Sequence, residues 1–243
     1  MFKFGSSALV VDLFTSNSSA FEWAKPALAE EFYPSWWKQL PRHREMRPDD
    51  GPARPMPNMR GCAGFIDLYQ HGFIVPMWSD LAVVIEPKQY KWQFADEVSN
   101  AVVHAADQAG SFLESQDMRS LKLITPWVAA TKESVYWQIV QPLWSQGFQT
   151  DWVVPPAAVN FKNIGNMNVN MLVRGAGSPK DFTIPFTTPM VHYVPMSEKP
   201  VKLKYHLVTE EEFKLIHEKD RPLAFEYSYF KKLKAKKIGR AHV

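Results

Sequence analysis

Gly72-Phe73-Ile74-Val75-Pro76-Met77-Trp78-Ser79-Asp80-Leu81-Ala82-Val83-Val84-Ile85-Glu86-Pro87 is the most strand-like stretch of the chain. β-Branched and aromatic side chains fill it, a glycine precedes it and a proline follows it, which is how a strand is punctuated. The run after it points the same way. Tyr90, Trp92 and Phe94 alternate with Lys91 and Gln93, a period of two that puts three rings on one face and two polar groups on the other. Those rings are expected to face inward together. Further strands are expected over 121–125, 135–140, 169–173, 182–184 and 190–195. Pro126, Pro142, Gly165, Gly175, Gly177, Pro179, Pro185 and Pro189 separate them. Short strands so closely punctuated mean a mainly β fold with short helices. The expected architecture is an antiparallel β-sandwich or jelly-roll-like barrel with an α+β periphery.

Outward from this core the composition divides the chain in three, within one domain overall. Residues 1–60 form an aromatic and proline-rich arm and loop, residues 61–208 the β-rich core, and residues 209–243 a helix with a basic tail. In the arm, Ser18 and Ser19 offer N-caps to a helix over 20–25, and Pro26 ends it. Tyr33-Pro34-Ser35-Trp36-Trp37-Lys38-Gln39-Leu40-Pro41 reads as one helical turn, opened by Pro34 and stopped by Pro41. Residues 42–60 hold Pro48, Pro52, Pro55 and Pro57 among charges, an extended surface loop. Residues 64–69 make a helical segment ending before Gly72. At the far end, 202–208 reads as a strand. Thr209-Glu210-Glu211-Glu212 after it is a capping box, with Val208 and Phe213 placed as a hydrophobic staple. That helix should run to about residue 218, with Pro222 beyond its stop.

Composition excludes several classes. The chain has 243 residues with 46% apolar and 22% charged side chains, enough for a core without staples. Its one cysteine, Cys62, rules out an internal disulfide and any zinc site built of cysteines alone. No apolar run reaches the roughly 20 residues of a membrane helix, so no membrane partner is expected. The opening stretch from Met1 to Phe14 has one lysine and a short apolar run with an acid, Asp12, inside it, and reads poorly as a secretory signal. Lys231, Lys232, Lys234, Lys236, Lys237 and Arg240 all lie in the last thirteen residues, and removing those six from a net charge of +3 leaves −3. Basicity therefore belongs to the tail. These six cations are the candidate contact for phosphate or an acidic partner, and the sole route to nucleic acid.

Motifs for chemistry are sparse. Among seven histidines none sits in a metal-ligand spacing. His104, Asp107 and Gln108 would share a face if 102–108 were helical, and they are the candidate polar site. His192 lies on an expected strand, either as a satisfied core group or facing solvent. Cys62 has no histidine placed by local sequence and reads as core filler. Gly175-Ala176-Gly177-Ser178-Pro179-Lys180 lacks the phosphate-loop spacing and reads as a hairpin turn. Asp49-Asp50 sits in the proline loop. No catalytic residue, metal or cofactor follows from these patterns. Nine Trp, sixteen Phe and eight Tyr stand out instead. Spread through every element, they read mainly as core, while any tryptophans exposed together would stack sugars or bases or anchor an interface.

Several segments in order resemble a family of uncharacterised proteins of tailed phages, especially those infecting cyanobacteria. They are Pro34 to Pro41, Cys62-Ala63-Gly64-Phe65-Ile66-Asp67, Gly72 to Asp80, His104 with Gln108, Lys122-Leu123-Ile124-Thr125-Pro126-Trp127, and Pro185 to Pro195. A weaker likeness, at the level of fold, links the final strands to dUTPase-like β-barrels, without that family's nucleotide loop or acids for magnesium. The resemblance implies a phage-encoded protein located in the virion or the cytoplasm of the infected host cell. The leading expectation is a non-enzymatic structural or interaction protein, with a protein partner or self-association. Binding or hydrolysis of nucleotides on a dUTPase-like barrel is the alternative, and binding of carbohydrate a further one. Self-association is expected if the uncharged strand 190–194, or 135–140, lies at a sheet edge.

Overall fold

Strand β1 (Leu9–Thr15) begins the described part of the computed structural model, which covers residues 8–47, 51–86, 89–104, 109, 111–148, 151–162, 165–175 and 180–218. Helix α1 (Ser18–Trp23), β2 (Ala27–Leu28), α2 (Ser35–Gln39), β3 (Arg44–Met46), β4 (Arg54–Met56) and α3 (Ala63–Gln70) follow. Next come β5 (Phe73–Pro76), β6 (Leu81–Glu86), β7 (Gln89–Phe94), β8 (Asn100–Val103), α4 (Phe112–Ser115), β9 (Met118–Ile124), β10 (Val128–Thr131) and β11 (Trp137–Val140). The last elements are α5 (Leu143–Gln146), β12 (Trp152–Val153), β13 (Ala157–Val159), β14 (Val169–Arg174), β15 (Lys180–Ile184), β16 (Pro189–Pro195), β17 (Val201–Leu207) and α6 (Glu210–Glu218). The fold is mainly β, a sandwich with short helices at its periphery.

The period-two signal behaves as its chemistry dictates. Along β6 the side chains of Leu81, Val83 and Ile85 go inward while Ala82 and Val84 stay exposed. On β7, Phe94, Trp92 and Tyr90 pair with those same three residues in antiparallel register. Phe94 is buried, and Tyr90 and Trp92 pack against the same core. The Tyr90 hydroxyl donates to the Ser120 carbonyl at 3.0 Å, tying this three-stranded sheet, completed by β15, to β9 of the next.

The other sheets run β12-β14-β9-β8, β13-β11-β16-β5-β2 and β10-β1-β17. They are open and none closes on itself, so the sandwich alternative holds and the jelly-roll-like barrel does not. Leu9, Val11 and Leu13 of β1, Phe73 of β5, Leu121 and Leu123 of β9, and Tyr193 of β16 join one continuous buried cluster. β1, like β2, β8, β10, β12 and β13, forms where no strand is expected from the sequence. It pairs antiparallel with β10 and parallel with β17, so the first and last strands lie side by side. Asp12 on its other face meets His206 of β17 at 3.0 Å.

Strands β16 and β11 are both interior. Four consecutive residues of β16, Met190 to Tyr193, are buried, which accounts for the absence of charge there. The edge argument for self-association therefore fails: an uncharged strand is equally the mark of one covered on both faces.

Local corrections are small. Asn17, rather than Ser18 or Ser19, caps α1, its side-chain oxygen accepting from the Ala20 amide at 2.8 Å. The run from 73 to 86 is broken between β5 and β6 at Met77–Asp80. The proline loop carries an exposed hairpin, β3 with β4. Residues 176–179 of the glycine-rich run lie outside the described residues, and the strands on either side of it, β14 and β15, belong to different sheets. At α6 the capping box forms in both directions. Glu212 N–H donates to Thr209 Oγ1 at 3.2 Å, and Thr209 N–H donates to the Glu212 carboxylate at 3.1 Å. Val208 and Ile216 bury with Phe14 and Val128, and Phe213 packs against them.

Candidate functional site

Three short helices bring aromatic side chains from distant parts of the chain to one place. α2 has five residues, too few to persist alone, so its position depends on what it packs against. Pro34 precedes it at φ −59°, suited to a helix start. At its far end the Arg60 guanidinium donates to the carbonyls of Trp37, Lys38 and Leu40 and lies 5.2 Å from the Trp37 ring centre. One cation thus satisfies three carbonyls and covers an indole. On α3, Phe65 and Tyr69 are four apart and share a face. Tyr33 stacks on Trp37 at 4.4 Å and on Tyr69 at 4.9 Å. The Tyr69 hydroxyl meets Ser145 Oγ of α5 at 2.7 Å, and Ser145 Oγ donates onward to the Phe32 carbonyl.

The outer layer of this cluster is open to solvent. Trp36 and Trp144 are each 37% exposed and Phe148 is 64% exposed. Their rings form a chain: Trp36 to Trp144 at 5.9 Å, then Trp144 to Phe148 edge-to-face at 5.0 Å. Phe65 supports both indoles from below, at 5.6 and 5.5 Å. The Trp36 indole N–H donates to the Trp144 carbonyl at 3.0 Å across 108 residues. The result is a shelf of large apolar groups held in place by packing, with little rotamer freedom left to lose on binding.

α5 also borders a cavity of about 300 Å³. Ser145, Gln146, Thr183 and Thr188 give it hydroxyl and amide groups, and Trp152, Ile184, Pro185 and Pro189 its apolar walls. Gln146 is clamped. Its amide donates to the Pro189 carbonyl, and its oxygen accepts from Gln141 Nε2 at 2.8 Å. The rim is a tight turn in which the Thr188 amide donates to the Pro185 carbonyl at 3.2 Å. Thr187 has φ +64°, a left-handed conformation that a β-branched residue adopts at a cost of roughly 1–3 kcal/mol. Its surroundings hold it there. The Thr187 amide donates to the Met77 carbonyl at 2.8 Å and the Met77 amide to the Thr188 carbonyl at 2.7 Å. The Phe186 amide donates to Asp80 Oδ1 at 2.6 Å, and its ring stays 38% exposed.

The residues proposed from sequence fare differently. His104 follows β8, so the stretch before it is extended rather than helical. Its Nε2 lies 3.4 Å from Asn170 Oδ1, while Asp107 and Gln108 lie outside the described residues, as do the six cations of the tail. His192 is the satisfied core group of the two options. It is buried, and its Nε2 donates to the His71 carbonyl at 2.7 Å. Burial, first, holds it below the ordinary histidine value against the opposing pull of that carbonyl, so the ring is neutral. Asp96 closes the turn after β7. Burial works to raise its pKa, but hydrogen bonds from the Ser79 and Ser99 hydroxyls and the Val98 and Ser99 amides outweigh it and hold the carboxyl below the ordinary value. Among the described residues no three His, Cys, Asp or Glu side chains gather as a metal site, and no described helix is long and apolar enough to cross a membrane. The shelf escaped sequence reading, although the Trp36-Trp37 pair and the four-residue spacing of Trp144 and Phe148 were its signals. Comparison with known proteins found no matching family model, no matching curated protein and no matching solved structure.

Proposed function

We propose that this chain is a phage-encoded, non-enzymatic interaction protein, acting as a virion component or a protein-binding factor in the infected cell, and that the Trp36–Trp144–Phe148 shelf is its contact surface. The observation that carries this reading is the exposure of three large rings on a rigid support. Buried elsewhere in the fold, such rings need no further explanation. Exposed together, they supply the aromatic anchors on which protein interfaces concentrate their affinity. The ordered resemblance to proteins of tailed phages supports the setting. The nucleotide alternative has less to rest on, since the cavity beside α5 has no charged side chain in its lining to meet a phosphate.

The test is quantitative mass spectrometry of washed virions, together with capture of virion and host proteins on the immobilised full chain. Trp36→Ala and Trp144→Ala should each weaken capture by about 2 kcal/mol, roughly thirtyfold in Kd. Absence from virions combined with capture that ignores both substitutions would overturn the reading.

A further inference from the structure

The cavity beside α5 presents chemistry that the shelf does not. Its polar groups are all neutral: two threonine hydroxyls, a serine hydroxyl and a carboxamide. Hydrogen-bonding capacity remains among them. A primary amide has two N–H groups and two acceptor sites, and Gln146 spends one of each on Pro189 and Gln141. Among the described residues the side-chain hydroxyls of Thr183 and Thr188 have no hydrogen-bond partner. A volume near 300 Å³ is at the lower end for a small-molecule site. Beside it the strained turn at Thr187, fixed through Asp80 and Met77, sets the position of Thr188 on the cavity rim. Such strain persists only where the surroundings enforce it, and it gathers at sites that position a group for binding.

We propose that this cavity binds a sugar residue of a neutral glycan. Its hydroxyls pair with Thr183, Thr188 and the spare positions of Gln146, and its C–H face lies against the apolar wall of Trp152, Ile184 and the two prolines. Each part of the lining argues for that class. A phosphate, sulfate or carboxylate ligand would need a cation, and none of the eight lining residues is charged. A purely apolar ligand would strand the hydroxyl and amide groups without partners. A polyhydroxylated ring with one apolar face satisfies both halves of the wall. This goes beyond the interaction reading and uses side chains that the shelf does not.

The experiment is titration of the full-length chain with neutral oligosaccharides built on glucose, galactose, mannose and N-acetylglucosamine. Sialyllactose, a heparin fragment, dUTP and an unstructured peptide serve as comparators. Tryptophan fluorescence reports binding, and saturation-transfer NMR on the unaltered protein reports which sugar protons touch it. Saturable binding of at least one neutral glycan is expected, with ring C–H protons the most strongly saturated. Thr183→Val and Thr188→Val, each checked for an unchanged circular dichroism spectrum, should weaken it at least tenfold, whereas Trp36→Ala should leave it unchanged. No binding of any neutral glycan up to about 10 mM, binding indifferent to both cavity substitutions, or preference for a charged comparator or the peptide would overturn the proposal. Loss of partner capture in Trp36→Ala with glycan binding intact would separate the two readings.

Discussion

Gly72 is where the fold has least freedom. Its φ is +82°, and a Cβ built there would stand 2.0 Å from the Tyr193 carbonyl oxygen, 2.9 Å from its carbon and 3.1 Å from Val194 Cα. All three atoms are backbone of β16, the middle strand of the five-stranded sheet, with Tyr193 itself 1% exposed. Nothing there can swing aside as a side chain would. Replacing Gly72 with alanine therefore combines two costs. The left-handed conformation costs an L-residue roughly 1–2 kcal/mol, and displacing packed backbone adds about 1–3 kcal/mol. A loss of about 3 kcal/mol is expected, large against the 5–15 kcal/mol of a typical domain. In thermal unfolding this is a fall in Tm of about 6–12 °C for a chain of this length, and in urea a lower midpoint with the slope unchanged. Gly64→Ala is the internal control. No atom lies within 4 Å of its added Cβ, and as a residue of α3 it should gain up to about 1 kcal/mol. A Gly72→Ala variant within about 1 kcal/mol of the parent would refute the reasoning, because it would mean that β16 yields where the packing says it cannot.

Three further outcomes follow from the buried polar groups and the caps. His192 is held neutral, below the ordinary value of 6.5, so the unfolded chain takes up its proton first. Stability should be complete above pH 6.5 and fall as pH drops through that value towards the lower native one. In His192→Gln the same urea titration should show a shallower fall, and equal slopes would reject the assignment. The Trp127 indole donates to the Ala24 carbonyl at 3.2 Å, whereas the buried Trp137 indole N–H has no partner among the described residues. Trp127→Phe should therefore cost about 1 kcal/mol more than Trp137→Phe; the reverse order in chemical denaturation would contradict it. Thr209→Ala removes one half of the capping box and should cost about 1 kcal/mol, seen first as faster amide exchange along α6. Unchanged exchange there would show that packing on Phe14 and Val128 holds the helix unaided.

Sequence pattern reveals an element when the element's own burial writes the pattern. β6 and β7 are covered on one face, so alternation appears directly and their inward rings are legible. The capping box of α6 is legible for the same reason, since both partners lie within four residues. β16 shows the limit. A strand covered on both faces and an apolar strand at an edge are equally free of charge, and only the pairing of β11 and β5 on its two sides distinguishes them. β1 goes further. Its neighbour β17 lies nearly the whole described chain away, and no local period encodes a parallel pairing across that distance.

The shelf and the cavity were illegible for a related reason, which bears on how such surfaces arise. Nothing in the sequence near Trp36 distinguishes it from Trp37, yet one ring is part of the exposed shelf and the other is stacked between Tyr33 and Arg60. What separates them is the carbonyl each indole N–H finds, Trp144 from 108 residues away for Trp36 and Met59 for Trp37. Likewise Pro185-Phe186-Thr187-Thr188 contains no glycine or asparagine to announce a positive φ. The turn is imposed by Met77 and Asp80, on the segment between β5 and β6. A residue chosen for its own backbone preference would have been Gly or Asn. Thr187 stands there instead, at φ +64°. The folded core therefore dictates the loop, and substituting Thr187 with glycine should stabilise the protein by about 1 kcal/mol while leaving Thr188 on the cavity rim less firmly placed. A rise in Tm with weaker glycan binding is the expected signature. A fall in Tm would mean that the turn is not strained, and would remove the reason for regarding it as a positioning device.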